Sequence, residues 1–151
     1  MSNIQQVTVE LRNGRFRLID AAKADDLNPK ALILCAAAQC SGYTIMSILR
    51  EDAITPKSIE ISVEGALNTK ALLPSSVYDN FKVSYKVECR HIGDQNAVSK
   101  AVLEAHNEKC GVIAMLRKIA PVSHEISVVS TESVKIESIA ARRIYADTAT
   151  A

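Results

Sequence analysis

The chain has 151 residues, 48% of them hydrophobic, 4% aromatic and none of them tryptophan. That length suits one domain whose core is built from Ile, Val, Leu and Ala. A net charge of +1 with both signs interspersed supplies no field for nucleic acid or an anionic membrane.

The opening segment MSNIQQVTVEL has no basic stretch followed by an apolar one, so no secretory signal is expected, and a cytoplasmic, reducing compartment is the default. In VTVELRNGRFRLI, Val7, Val9 and Leu11 alternate with polar residues, and Phe16 and Leu18 resume the alternation after Asn13-Gly14. Asn-Gly suits a type I′ turn, so the pattern predicts a β-hairpin. DAAKADDL reads as a polar loop. Asn28 then offers a capping side chain and Pro29 a first helical position, which predicts a helix running to about Glu51.

That helix carries no charge from Ala31 to Leu49, close to the length of a membrane span. Gln39, Ser41, Thr44 and Ser47 interrupt it, and the amphipathic strands around it belong to a soluble core. SIEISVEGAL and FKVSYKVEC alternate as a strand pair, separated by a connection broken at Pro74. Asp94 to Glu108 reads as an amphipathic helix with Val98, Ala101, Val102 and Ala105 on one stripe. The pattern stutters at Cys110-Gly111, VIAMLRKI predicts a second short helix before Pro121, and HEISVVS predicts a last core strand.

The order is ββ-α-ββ-αα-β, an α+β domain over residues 1–130. A C-terminal extension, 131–151, follows; Val134 and Ile136 suit a strand there, and the Arg142-Arg143 region suits a helix. A central helix that is apolar all round needs cover on every side. One five-stranded sheet and two amphipathic helices cover it poorly, so a homodimer is expected.

Four cysteines stand at 35, 40, 89 and 110. Cys35 and Cys40 lie on one helix, separated by roughly 140° of rotation, so they cannot share a site. Cys35 reads as a buried inert thiol. On spacing alone Cys40 reads as a core cysteine too, although Ala36 and Ala37 leave its face open to close approach and Tyr43 and Thr44 bring hydroxyls. Cys110 has two readings. Free N–H groups at a following helix start would lower its pKa, with His106 one turn upstream; alternatively it is a packed thiol at a kink. Cys89 and His91 make half a zinc site at best, and no CxxC or HxxxH completes it, so no metal is expected. His124 reads as a surface residue opening a strand.

NPKALILCAAAQCSGYTIMSIL followed, after paired strands, by EKCGVIAMLRKIAPVSHEISV resembles the OsmC/Ohr family, the osmotically inducible and organic-hydroperoxide-resistance proteins, from about Asn28 to Val129. The resemblance implies an OsmC-like fold, an intertwined homodimer with the site at the protomer interface, and a thiol peroxidase that reduces organic hydroperoxides or hydrogen peroxide. It makes Cys40 the peroxidatic cysteine and Cys110 the resolving one, with an external thiol or dithiol as reductant and no metal, haem or flavin. A family arginine in the first hairpin stabilises the thiolate; Arg12 is its best match, with Arg15 and Arg17 as neighbouring alternatives. Lys30 stands where the hydroperoxidases carry a glutamate that orients that arginine, and is itself a candidate cation for the thiolate. Gly111 stands where the hydroperoxidases have proline. These departures align the chain with the OsmC-like branch. The rival reading is a non-catalytic binding protein holding a small apolar ligand at the dimer interface.

Overall fold

Asn13 and Gly14 take φ of 50° and 75° in the computed structural model of the chain, which describes residues 3–19 and 24–132. This is the left-handed pair a type I′ turn requires. It joins β1 (Asn3–Arg12) to β2 (Arg15–Leu18) with Arg12 opposite Arg15. After a short 3-10 turn, α1 (Pro29–Glu51) begins where expected. The Asn28 side chain accepts hydrogen bonds from the backbone N–H groups of Lys30 and Ala31 at 3.1 and 3.0 Å.

The antiparallel pair β3 (Ser58–Leu67) and β4 (Tyr78–Cys89) comes next, then α2 (Gln95–Glu104), a π-helical turn over Ala105–Lys109, α3 (Gly111–Ile119) and β5 (Val122–Ser130). The strand order is β2-β1-β3-β4-β5, and β5 returns parallel to β4 through the two-helix crossover. The sequence read β5 as a core strand. It is an edge strand instead, with only Val122, Ile126 and Val128 half-buried along one face. Parallel pairing needs a long crossover, and α2 and α3 supply it. The helix expected over Asp94 to Glu108 is α-helical only to Glu104, because the π turn replaces its last part.

Val7, Val9, Ile59, Ile61, Val63, Phe81, Val83, Tyr85 and Val87 alternate along β1, β3 and β4 and turn one sheet face into the core. α1 meets that core with Leu34, Cys35, Ala38, Ile45 and Leu49. By length and hydropathy α1 is able to cross a membrane; packed along this sheet, it is the core helix of a soluble domain. Its opposite side keeps Leu32, Ile33 and Tyr43 at 40–46% exposure in the single chain.

One close approach fixes α1 against the hairpin. A Cβ at Gly42 would stand 2.5 Å from Cζ of the Phe16 ring, so only glycine lets that ring sit on the helix. Around it, the Phe16 N–H donates to the Tyr43 hydroxyl at 3.3 Å and Gln39 Nε2 donates to the Phe16 carbonyl at 3.0 Å. The Tyr43 ring meets the Phe16 ring edge-on, with centroids 5.1 Å apart. The extension proposed for 131–151 lies, from residue 133 on, outside the described residues.

Candidate active site

Midway along α1, beyond Gln39, the half-buried Cys40 borders a cleft of about 570 Å³. Tyr43, Thr44, Ser47 and Glu51 continue the α1 wall, and Glu104 and Lys109 stand opposite. The hydroxyls next to Cys40 are committed elsewhere. Thr44 Oγ1 donates to the Cys40 carbonyl at 2.7 Å, the usual back-bond of a helical threonine, and Tyr43 accepts from Phe16. Lys109 pairs with Glu104 at 3.6 Å, so the cleft's cation comes from the segment just before Cys110.

Cys110 reaches Cys40 because of the π turn. Its N–H donates to the Ala105 carbonyl at 2.8 Å, a bond spanning one residue more than an α-helix allows. The backbone then opens to φ −80°, ψ 108°, and Cys110 becomes the residue before α3. The thiol is buried and lies near enough to Cys40 for the two thiols to influence each other's ionisation. The Ile113 amide at the start of α3 and the Ser41 hydroxyl draw its pKa down, as a helix start should. Burial is the larger effect, the contact with Cys40 adds to it, and the net shift is upward.

Ser41 Oγ donates to Cys110 Sγ at 3.6 Å. Behind it lies a buried polar group that sequence reasoning missed. The Tyr85 hydroxyl on β4 also meets Ser41 and is 2.6 Å from His106 Nδ1. The π turn hands the His106 ring to Tyr85 rather than to Cys110, and the ring centroid lies 4.5 Å from that of His124 on β5. Arg117 donates to the carbonyls of His106 and Asn107, tying α3 to the π turn. Burial, then the neighbouring His124 and Arg117, lower the His106 pKa to about 4. Burial raises the Tyr85 phenol. Both side chains are therefore neutral at pH 7.

The other candidates are placed elsewhere in the single chain. Lys30 Nζ donates to the carbonyls of Leu73 and Pro74 at 2.7 and 3.3 Å, pinning the β3–β4 connection. It lies roughly 15 Å along the α1 axis from Cys40. Arg12 is ion-paired with Glu10 on the same strand, and its side chain is largely exposed. Neither lines the Cys40 cleft. Arg15 and Arg17 are exposed on β2. Cys35 is buried, which raises its pKa. The Cys89 thiol donates to the Val129 carbonyl at 3.3 Å, holding β4 to β5. His91 pairs with Glu132 at 3.6 Å on the surface.

A half-buried thiol set against a buried one, on a five-stranded sheet with a long core helix, defines a small α+β dithiol protein. The sequence pattern described as "OsmC-like protein" matches residues 22–125, and the chain belongs to this OsmC/Ohr family. Solved structures share the fold. An OsmC-like protein of unknown function from Vibrio cholerae is 15% identical over 84% of this chain and 100% of its own, with a TM-score of 0.55. An OsmC-like hydroperoxide resistance protein from Jannaschia sp. is 12% identical over 76% of this chain and 85% of its own, at 0.54. An OsmC-like protein from Mycoplasma pneumoniae is 13% identical over 85% of this chain and 97% of its own, at 0.52. No curated protein matches the sequence.

Proposed function

We propose that the chain is a thiol-dependent peroxidase of the OsmC/Ohr type, acting in the cytoplasm on organic hydroperoxides or hydrogen peroxide. The observation that carries this reading is the pairing of Cys40, at an open cleft, with a buried Cys110 close enough to influence its ionisation. The Cys40 thiolate attacks one peroxide oxygen and the O–O bond breaks. An alcohol or water leaves with a proton, and Cys40 becomes a sulfenic acid. Cys110 then attacks that sulfur, expelling the hydroxyl as water and closing a Cys40–Cys110 disulfide. An external thiol or dithiol supplies two electrons to restore both thiols.

We infer that the working unit is a homodimer, because Leu32, Ile33 and Tyr43 on the open side of α1 form an apolar strip that a second copy would cover. Arg12 and Lys30 are cations for the Cys40 thiolate only in such an assembly, since neither borders the cleft of its own chain. The test is direct. One equivalent of organic hydroperoxide, followed by mass-spectrometric mapping, should give a Cys40–Cys110 bridge with Cys35 and Cys89 free. Cys40→Ser should stop peroxide consumption, and Cys110→Ser should leave Cys40 as a sulfenic acid or drive it to higher oxides. Equal, slow consumption by wild type and Cys40→Ser would end the peroxidase reading.

A further inference from the structure

Ser41, Tyr85 and His106 do no work in the steps above, yet they are buried and polar behind Cys110: Ser41 is bonded to its sulfur, Tyr85 to His106, and the Ser41 hydroxyl lies beside that of Tyr85. An apolar core would fill the same space without the cost of desolvating two hydroxyls and an imidazole. Their position identifies the moment at which they matter. Cys40 opens to the cleft and Cys110 is 2% exposed, so an incoming reductant reaches Cys40 sulfur and not Cys110 sulfur. Its thiolate forms a mixed disulfide with Cys40, the Cys40–Cys110 bond breaks, and the electron pair leaves on Cys110. That places a bare thiolate inside the core, and a poor leaving group slows exchange.

Counting hydrogens shows what the three residues offer. Each hydroxyl has one hydrogen. With Ser41 donating to Cys110 sulfur, as its geometry has it, the Ser41 oxygen is free to accept from Tyr85. The Tyr85 oxygen is then free to accept from His106 Nδ1. In this arrangement, with the His106 hydrogen on Nδ1, the hydrogens all point toward the sulfur. Resting on the peroxidase reading above, we propose that Ser41, Tyr85 and His106 are positioning residues for disulfide reduction: they hold a hydrogen-bond donor on Cys110 sulfur as it leaves. The same chain can pass that sulfur a proton, from His106 through Tyr85 and Ser41. His106 is neutral, so its other ring nitrogen takes up a proton from solvent as Nδ1 gives one up; the ring changes tautomer without gaining or losing net charge, beside His124, an exposed residue of the edge strand. The groups facing His106 are Tyr85 on β4, His124 on β5 and Arg117 on α3. Arg117 engages only its carbonyl and leaves the ring nitrogens to the relay.

The experiment measures reduction of the preformed disulfide by dithiothreitol at pH 7 in stopped flow, with the bridge formed by diamide so that no peroxide chemistry is needed. Tyr85→Phe and Ser41→Ala should each slow reduction roughly 10- to 100-fold, the worth of one hydrogen bond to a charged group. The equilibrium constant against dithiothreitol should move less than about twofold, because Cys110, the sulfur that Ser41 faces, is uncharged at both end points, as a thiol and in the disulfide. Mere loosening of the core would shift both quantities. Ser76→Ala removes a buried hydroxyl in the β3–β4 connection and should change neither. Rates within twofold of wild type for both Tyr85→Phe and Ser41→Ala would overturn the proposal, as would rate and equilibrium changing together. If diamide forms the bridge and hydroperoxide does not, the peroxidase reading fails while the relay is still measured. If diamide forms no Cys40–Cys110 bridge, the relay falls with it.

Discussion

Gly42→Ala sets two effects of opposite sign against each other. In a helix interior alanine is favoured over glycine by about 1 kcal/mol, so a position facing solvent would gain stability. Here the new Cβ would lie 2.5, 2.6 and 2.7 Å from Cζ, Cε1 and Cε2 of Phe16. Ordinary carbon contacts start near 3.5 Å, so the ring must retreat by roughly 1 Å. It is not free to do so. The Phe16 backbone is bonded to both Tyr43 and Gln39 on the same helix, and the ring is 2% exposed. Overpacking of this kind costs about 1–3 kcal/mol, which outweighs the propensity gain, and a net loss of about 1 kcal/mol is expected. Urea unfolding at one fixed protein concentration measures it, since assembly would make the midpoint concentration-dependent. In a Phe16→Leu background the obstruction is gone, and the same Gly42→Ala change should stabilise by up to about 1 kcal/mol, a coupling of about 2 kcal/mol. If Gly42→Ala stabilises the otherwise unaltered chain, the docking of the hairpin on α1 is wrong.

His106 should make stability fall in mild acid. Its pKa of about 4 in the fold lies below the ordinary 6.5, so the unfolded chain binds more protons between those values. Stability is full above pH 6.5 and is lost as pH falls toward 4, by roughly 2 kcal/mol between pH 7 and pH 4.5; His106→Gln, which does not titrate, should lack this part of the urea-midpoint profile. Lys30→Met should leave the urea midpoint within about 1 kcal/mol but speed hydrogen exchange at Ser76, whose N–H donates to the Leu73 carbonyl that Lys30 holds. A tenfold fall in the rate of Cys40 oxidation by peroxide in that variant, with exchange unchanged, would instead assign Lys30 to the thiolate. Light scattering at micromolar concentration should return a dimer mass; a monomer would remove the assembly on which the roles of Arg12 and Lys30 depend.

The parts of the fold that were legible in sequence are those set by neighbours along the chain. Asn13-Gly14 needs its two positive φ values wherever it sits, and Asn28-Pro29 caps α1 with its own side chain. Period-two alternation marked β3 and β4 because one sheet face is apolar and the other polar. What was not legible depends on distant partners. The edge position of β5 is set by its parallel register with β4, which its own residues do not encode. Tyr85 looked like one more inward strand residue, and its role rests on a contact with His106 that only tertiary packing makes. His106 was read against Cys110 on the assumption of α-helical spacing, and the π turn removed that premise. Cys40 came into view through family resemblance, since spacing alone favoured the core for it; Cys110 stood out at its helix break, but only the resemblance chose between an activated thiol and a packed one. Lys109 carried no signal beyond standing next to Cys110.

The π turn has a consequence for how this site tolerates change. Ala105 and Cys110 are both buried, while Asn107, Glu108 and Lys109 between them are exposed. The extra residue acts as a phase shifter, letting the stripe of α2 end on Ala105 and a new stripe begin at Cys110 and continue through Ile113 and Leu116. Within the turn, residue count governs more than residue identity. Exchanging Asn107 or Glu108 for another polar residue leaves the count alone. Deleting one of them would restore α-helical phase and swing Cys110 by about 100°, away from Cys40, with every side chain of the thiol pair and its relay still in the sequence. An alignment scored on matched letters would record such a deletion as a single gap in a surface turn; in the molecule it is a gap in the wiring between the two thiols.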